Sequence, residues 1–457
     1  MKNCGVITIK GLLNIINEFL ASQYFLYFIA LYALISSFFN IGMVTICILM
    51  IIVSAVFILQ ENVKASIAPM VYLYFAIPIV GGDFSLSVPF FIVVAITLFS
   101  IIYHIVKFKV KLKITPMVKT IWIYGLGFCL GGFFSKNYGV DYPLSTNFYL
   151  TLLVIVAITF FCILTYSLDI EKDYLMKVFA LLGIIVSLQI YIRVLFFDGF
   201  IDDVKNDSVK ISWGGYNGIA TVMLFAICST IYLAITNKQF SILYLAIANS
   251  YLLAVLFTNS RGGILICFVT TLVCDAYYLF KANDKKRAVK VLLIILSSYL
   301  ALLGVSLIFF SDVVFSIFSG FIRNGLSLNN RFFIWFKSKE YFFENPLFGL
   351  GMFHNYHDAS GVFNFIWQSH NSILQLLSSL GLIGFTGYII HAYHKYKVTL
   401  KKTTFHICVL ISFITTEIYG LIDCTYPAPY ALVPILILLI SIDAMNEKER
   451  LQLKGQL

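Results

Sequence analysis

Arg261 stands in the segment NSRGG (Asn259 to Gly263), between two long apolar runs. An arginine at such a boundary is costly unless it is paired or faces a polar cavity. The alternative is a snorkelling side chain that anchors a helix end. The two glycines that follow favour a working role, because they let a backbone or a head group approach closely. Arg331 stands in NNRFFIWF (Asn329 to Phe336), and Arg323 lies eight residues earlier. Either is also readable as a solvated or headgroup-bound arginine. Two arginines on one face could clamp a diphosphate, since the guanidinium fork matches phosphate oxygens bidentately.

His370 lies in QSHNSILQLLSSLGLIGF (Gln368 to Phe385), just before another apolar run. Histidine is the natural general base near neutral pH, although a lone histidine is more often structural. His354 and His357 share the same loop and compete for the role. Asp358 beside His357 is one weak pair of metal-ligand type. Asn371 is placed either to orient His370 or to cap the helix that follows. Glu417 and Asp423 close a further apolar run, and acids at membrane depth are functional candidates by default. Their alternative is pairing with Arg193 or with one of the arginines above.

The elements that must position these groups are read from composition. Of 457 residues, 60% are apolar and 12% charged, the latter about half the share of an ordinary soluble domain. Mean hydropathy is +0.92. This excludes a soluble globular enzyme, a disordered protein and a nucleic-acid-binding module. Fourteen membrane helices of about 20 residues need about 280 apolar residues, close to the inventory present. The runs are continuous, so a transmembrane barrel, whose strands alternate, is excluded. They lie near 19–38, 41–59, 66–80, 84–105, 117–134, 147–167, 174–197, 216–235, 240–257, 262–280, 289–310, 372–392, 405–421 and 429–443. The third and last are short enough to be re-entrant. The first follows Glu18 without a small-residue cleavage site and reads as a retained helix. The expected fold is an all-α integral membrane protein of about 12–14 spans with a large external loop containing short amphipathic helices.

Three loops are strongly basic: Lys107 to Lys119, Lys281 to Lys290, and Lys395 to Lys402. They follow the fourth, tenth and twelfth runs, so all fall on one side, which the positive-inside rule makes cytoplasmic. Most of the net charge of +10 is explained this way. Both termini are then cytoplasmic, and Arg261, Arg331 and His370 share the external side. The long outer loop, 311–371, mixes many phenylalanines with basic residues and suggests short helices lying on the bilayer surface. One structural domain is expected overall, with N-terminal membrane helices over 1–200, a second region over 201–430, and a last span and tail over 431–457.

Some motifs are missing. No Walker loop GxxxxGK[ST] occurs, which argues against ATP hydrolysis. No DxD diphosphate motif occurs, and its nearest approximation, Asp169 and Glu171, falls in a cytoplasmic loop. The nine cysteines are scattered without a CxxC pair and suggest neither a disulfide framework nor a zinc site. Nothing in the sequence calls for a metal or a cofactor.

SRGG after a span, an arginine about 70 residues later, NPLFGLG (Asn345 to Gly351) and then SHNSILQLLSSLGLIGF together resemble the O-antigen ligase and O-antigen polymerase superfamily, which includes capsular and exopolysaccharide polymerases. The resemblance covers about residues 213 to 430. WGGYN (Trp213 to Asn217) also fits, less specifically, and the first 200 residues match only as membrane helices. The resemblance implies a bacterial cytoplasmic-membrane enzyme that moves a glycan from an undecaprenyl-diphosphate carrier to an acceptor hydroxyl on the external face. It implies His370 as general base and Arg261 and Arg331 as diphosphate-stabilising groups, acting by inversion without a metal. Asp423 resembles an acid near the corresponding span end, and Asn371, Arg193 and His354 are further substrate-binding candidates. The partners implied are the lipid-linked oligosaccharide, a glycan or lipid acceptor, the bilayer and a chain-length regulator, with no nucleic acid. A repeat-unit polymerase is favoured over a ligase acting on lipid A core, because polymerases are the more varied group. A lipid-linked oligosaccharide flippase is the alternative of another class. It should show polar residues deep in the spans, whereas here they crowd one face.

Overall fold

The computed structural model describes residues 9–39, 41–76, 88–110, 115–133, 168–196, 199, 202, 210–211, 214–258, 260–282, 284–309, 311, 314–315, 331–351, 369–425 and 429–453. Over these residues the chain is almost wholly helical. The helices are α1 (Ile9–Ala21), α2 (Gln23–Ser36), α3 (Gly42–Leu59), α4 (Ile67–Ala76), α5 (Val88–Lys107), α6 (Pro116–Leu130), α7 (Lys172–Phe196), α8 (Tyr216–Thr236), α9 (Ser241–Leu256), α10 (Arg261–Lys281), α11 (Lys285–Phe309), α12 (Arg331–Glu344), α13 (Ser372–Thr399), α14 (Thr404–Tyr419) and α15 (Pro429–Leu453). A 3₁₀ turn at Val63–Ser66 leads into α4, and a two-residue hairpin, Lys210–Ile211 with Gly214–Gly215, precedes α8. In lipid no water satisfies the backbone, so apolar runs of this length close their hydrogen bonds internally as helices.

Every apolar run read from the sequence falls on a helix, except that at 147–167, which lies outside the described residues. Seven of the described helices are long and apolar enough to cross a membrane: α3, α5, α7, α8, α10, α11 and α13. The pair α1–α2, bent by 75° at Ser22, makes an eighth if counted as one span. The expected count of 12–14 over the whole chain also drew on α6, α9 and α14. These are apolar but only 15, 16 and 16 residues long, short of the 20 or so that a full crossing takes.

α8 is the axis of the bundle. Its residues Gly218 to Ala234 are all buried, as expected of a helix that is apolar on every side. It packs against α7, α9, α10 and α14. α11 is the opposite case, apolar yet almost wholly exposed, which is how a helix facing lipid looks. The core is continuous from α2 and α4 through α7 and α8 to α14 and α15.

The bundle has two chemically distinct ends. At one end Lys107 donates to the Ile58 carbonyl at 2.8 Å, Asn62 donates to the Asp169 carbonyl at 2.8 Å, and Lys448 pairs with Asp169 at 2.8 Å. Lys401 reaches Asn446 and, at 3.2 Å, Glu449. Lys107 and Lys401, each from one of the basic stretches, therefore lie at this end. Asp169 and Glu171, which pairs with Lys64 at 3.5 Å, sit here in surface ion pairs. Lys395 departs from the sequence reading. It lies inside α13, is fully buried and pairs with Glu417, so it belongs to the bundle interior and not to a basic loop. Glu417, for which pairing with an arginine was the alternative to a functional role, thus pairs with a lysine.

Candidate active site

The opposite end is organised by the turn Gly420–Thr425, which follows α14. A helix leaves its last carbonyls without intrahelical donors, and here other elements supply them. The Ser372 amide donates to the Gly420 carbonyl at 2.7 Å. Asn371 Nδ2 donates to the Leu421 carbonyl at 3.0 Å, and the Arg331 guanidinium donates to the Ile422 carbonyl. Thr425 donates through its amide to Ser372 Oγ at 3.1 Å and through its hydroxyl to the Thr416 carbonyl, also at 3.1 Å. One short turn thus fixes the starts of α12 and α13.

His370 and Asp423 meet on this turn. The imidazole Nδ1 donates to Asp423 Oδ1 at 2.9 Å, and the Cys424 amide donates to the same oxygen at 2.8 Å. The Asp423 side chain is 2% exposed and that of His370 21%. Asp423 Oδ2 is buried and accepts no hydrogen bond among the described residues. A desolvated carboxylate in this position holds the ring orientation and stabilises the imidazolium when it forms. His370 itself has φ +47°, a left-handed conformation rarely held by a residue other than glycine and one that concentrates at functional sites. Its Nε2 carries no hydrogen bond among the described residues. Asn371 does not orient His370. It is the N-cap of α13, its Oδ1 accepting from the Leu374 amide at 3.0 Å.

Arg261 is the first residue of α10, whose N-cap is Ser260. Ser260 Oγ accepts from the Gly263 amide at 3.2 Å and donates to Asn217 Oδ1 at 2.7 Å. Tyr419 OH donates to the same Asn217 oxygen at 3.2 Å. Asn217 thereby ties the start of α8, the start of α10 and the end of α14 together. A Cβ at Gly262 would lie 2.8 Å from Ile422 Cδ1, so the start of α10 lies against the side chain of the turn's Ile422. Arg261 is half-buried, with no hydrogen bond to the described residues. Four helices, α8, α10, α12 and α13, present their N-termini at this end, and the positive ends of their dipoles favour an anion there.

The motif NPLFGLG has a backbone role. α13 is broken at Gly381, which has φ 63° and ψ −166°, a combination essentially confined to glycine. The break frees carbonyls and amides on either side. Leu350 and Gly351 donate to the Ser378 and Ser379 carbonyls at 2.8 and 2.9 Å. Leu382 and Ile383 donate to the Pro346 and Leu347 carbonyls at 2.8 and 3.1 Å. NPLFGLG and SLGLIG are therefore two halves of one hydrogen-bonded unit. Ser338 in α12 adds a bond to Ser369 Oγ at 2.9 Å, one residue before His370.

Arg331, His370, Asn371 and Asp423 are brought together on the turn, with Arg261 beside it. Arg193 lies in the last turn of α7. His354, His357, Asp358 and Arg323 lie outside the described residues. Sequence reasoning missed Asn217, Ser260 and Tyr419 as a connected set. Ser260 carried a signal, as a helix-capping residue immediately before a run; the partners are 43 and 159 residues away and carried none.

Residues 246–389 match a family model described as O-antigen ligase. The match takes in Arg261, Arg331 and His370 and stops short of Asp423. No curated protein matches the chain. Over residues 246–389 this multi-span membrane protein is thus similar to the O-antigen ligase family, and the match supports a function of the ligase or polymerase type.

Proposed function

We propose that the protein transfers a saccharide from undecaprenyl diphosphate to an acceptor hydroxyl on the external face of the bacterial inner membrane, as a surface-polysaccharide repeat-unit polymerase. The observation that carries this reading is the His370–Asp423 pair on a turn that also holds Arg331 and abuts Arg261. The acceptor oxygen attacks the anomeric carbon, forming the new glycosidic bond. The bond from that carbon to the diphosphate oxygen breaks, and the diphosphate leaves with the electron pair. His370 Nε2 takes the hydroxyl proton, and Asp423 steadies the resulting imidazolium. Arg261 and Arg331 stabilise the charge that grows on the leaving diphosphate, assisted by the helix N-termini around them. A single displacement inverts the anomeric centre. Two fixed guanidinium charges supply the neutralisation that many sugar transferases draw from a divalent ion.

The test is a purified preparation given a polyprenyl-diphosphate oligosaccharide alone, in the presence of a chelator, with products read by gel or mass spectrometry. A glycan ladder that disappears in His370→Ala supports a metal-independent polymerase with that base. Retained transfer in His370→Ala overturns the base assignment. The ligase reading is second, favoured by the description of the matching family; it expects no ladder from the donor alone and a single transfer when a lipid A core acceptor is added.

A further inference from the structure

α12 has two unlike faces. At 3.6 residues per turn, Phe332, Phe336 and Phe343 fall within an arc of about 40°, while Ile334, Ser338 and Tyr341 fall on the opposite side. The second set is buried, Ile334 and Tyr341 against Leu350 and Ser338 against Ser369. The first set is open, at 68%, 61% and 64% exposure, and Phe333, about 60° to one side of Phe336, is open as well, beside Glu340 and Glu344. The open stripe runs about 16 Å along the helix axis. Past its end stands Leu347, also exposed, whose carbonyl is bonded to the Ile383 amide. Leu382 and Ile383 are exposed in turn, on a helix long and apolar enough to cross the membrane. The stripe therefore continues into the lipid-facing surface of α13. Lys339 flanks it, with its ammonium 5.9 Å from the centre of the Phe343 ring, the posture of a lysine whose stem lies on apolar surface while its charge reaches the headgroups.

We propose that α12 is seated in the surface of the bilayer, with Phe332, Phe336 and Phe343 among the acyl chains and Lys339 at the lipid phosphates. The seat sets the depth of Arg331, the first residue of the same helix. An aromatic stripe of this kind is driven into the interface by the water it sheds, and a flanking lysine adds attraction to anionic lipid. Because Arg331 is also bonded to the Ile422 carbonyl, the helix carries the membrane surface and the turn at Gly420–Thr425 as one unit. A lipid-borne diphosphate then meets Arg331 at phosphate depth without leaving the bilayer. This last step rests on the diphosphate role proposed for Arg331, whereas the seat itself does not.

The experiment places single nitroxide labels at 332, 336, 343, 340 and 344 in full-length protein in vesicles of phosphatidylethanolamine and phosphatidylglycerol. Accessibility to oxygen and to a water-soluble nickel chelate is read at each. Labels at 332, 336 and 343 are expected to be oxygen-accessible and shielded from nickel, with 340 and 344 the reverse. Nickel access at all five overturns the seat. In the same vesicles, F332S/F336S/F343S is expected to lower transfer from a polyprenyl-diphosphate donor about tenfold, given the apolar surface it removes from the interface. The corresponding leucine variant should restore transfer, and thermal unfolding should be unchanged in both. Unchanged transfer in the serine variant overturns the depth role. Immersed labels together with no transfer by the wild-type protein would refute the diphosphate reading, and with it the depth role, while supporting the seat.

Discussion

At His370 the two ring nitrogens have different surroundings, and that difference makes separate predictions possible. Nδ1 is committed to Asp423 at 2.9 Å, which leaves Nε2 to take a proton. Asp423→Asn keeps the shape and removes the charge that stabilises an imidazolium. Its kcat should fall by about 10² to 10⁴, the range spanned by general acid–base catalysis, with KM for the donor little changed; steady-state kinetics checks this, and a KM effect alone would refute the role. Arg261→Lys keeps the charge and loses the fork. A loss of about 10²-fold or more in kcat is expected, as when one oxyanion donor is removed, and full activity would argue against bidentate contact. Asp423 shows how far residue type alone takes the reading. As an acid at a span end it is a candidate in the sequence, but its partner stands 53 residues earlier, and no spacing rule connects the two.

At the scale of elements, α13 and α14 are held together by groups of different kinds along their lengths. Near the site the ties are backbone bonds through Ser372 and Gly420. In the interior, Glu417 pairs with the buried Lys395 and accepts from Tyr388 OH at 2.6 Å. Lys395 also lies 4.9 Å from the Tyr396 ring centre and 5.5 Å from that of Phe413. Removing one partner leaves an uncompensated charge, so Lys395→Met alone should lower stability by about 2–3 kcal/mol. Lys395→Met combined with Glu417→Gln should recover most of it. Thermal unfolding in detergent measures both, and equal destabilisation by the single and double variants would mean that the pair is not a coupled unit. Gly381→Ala is the sharper test of architecture. Its Cβ would lie 2.4 Å from the Leu347 carbonyl carbon and oxygen, and the backbone there is confined to glycine. A loss of about 3 kcal/mol or more is expected, seen as a lower melting temperature or failure to accumulate. SLGLIG looks, as a string, like a continuous apolar helix with two glycines. Only the insertion of NPLFGLG shows that one of them is a break.

For the whole molecule, the separation of a basic end from the end carrying Arg261, Arg331, His370 and Asp423 generates a prediction about orientation. The positive-inside rule sends the basic end to the cytoplasm. A cysteine at 340 should be labelled by an impermeant thiol reagent on intact cells, with the outer membrane permeabilised where there is one, in a background freed of reactive native cysteines. A cysteine at 284 should be labelled only after lysis. The reverse pattern would invert the topology and remove the external site. α11, with its apolar surface facing outward along most of its length, should tolerate apolar exchange freely. α8 should not, since every residue from Gly218 to Ala234 is enclosed by neighbours. Sequence alone does not separate these two helices, because both are apolar all round and only their places in the bundle differ.

The apolar runs alone make this chain helical and carry it across a membrane several times, because in lipid they have no other way to close their backbone bonds. The sequence also singled out Arg261, Arg331 and His370, since charged and titratable side chains are rare enough among such runs to be noticed one by one. The tertiary structure decided which of these groups share a turn. It paired Asp423 with His370, moved Lys395 from a loop into an interior ion pair with Glu417, made Asn371 a cap, and joined Asn217, Ser260 and Tyr419 across three helices. The physical reason is the same in each case. Periodicity and hydropathy report how a residue sits in its own helix. A contact between helices depends on where a break such as Gly381, or a close approach such as that of Gly127 in α6 to the Gly384 backbone in α13, lets the backbones meet, and that is fixed only when the helices pack.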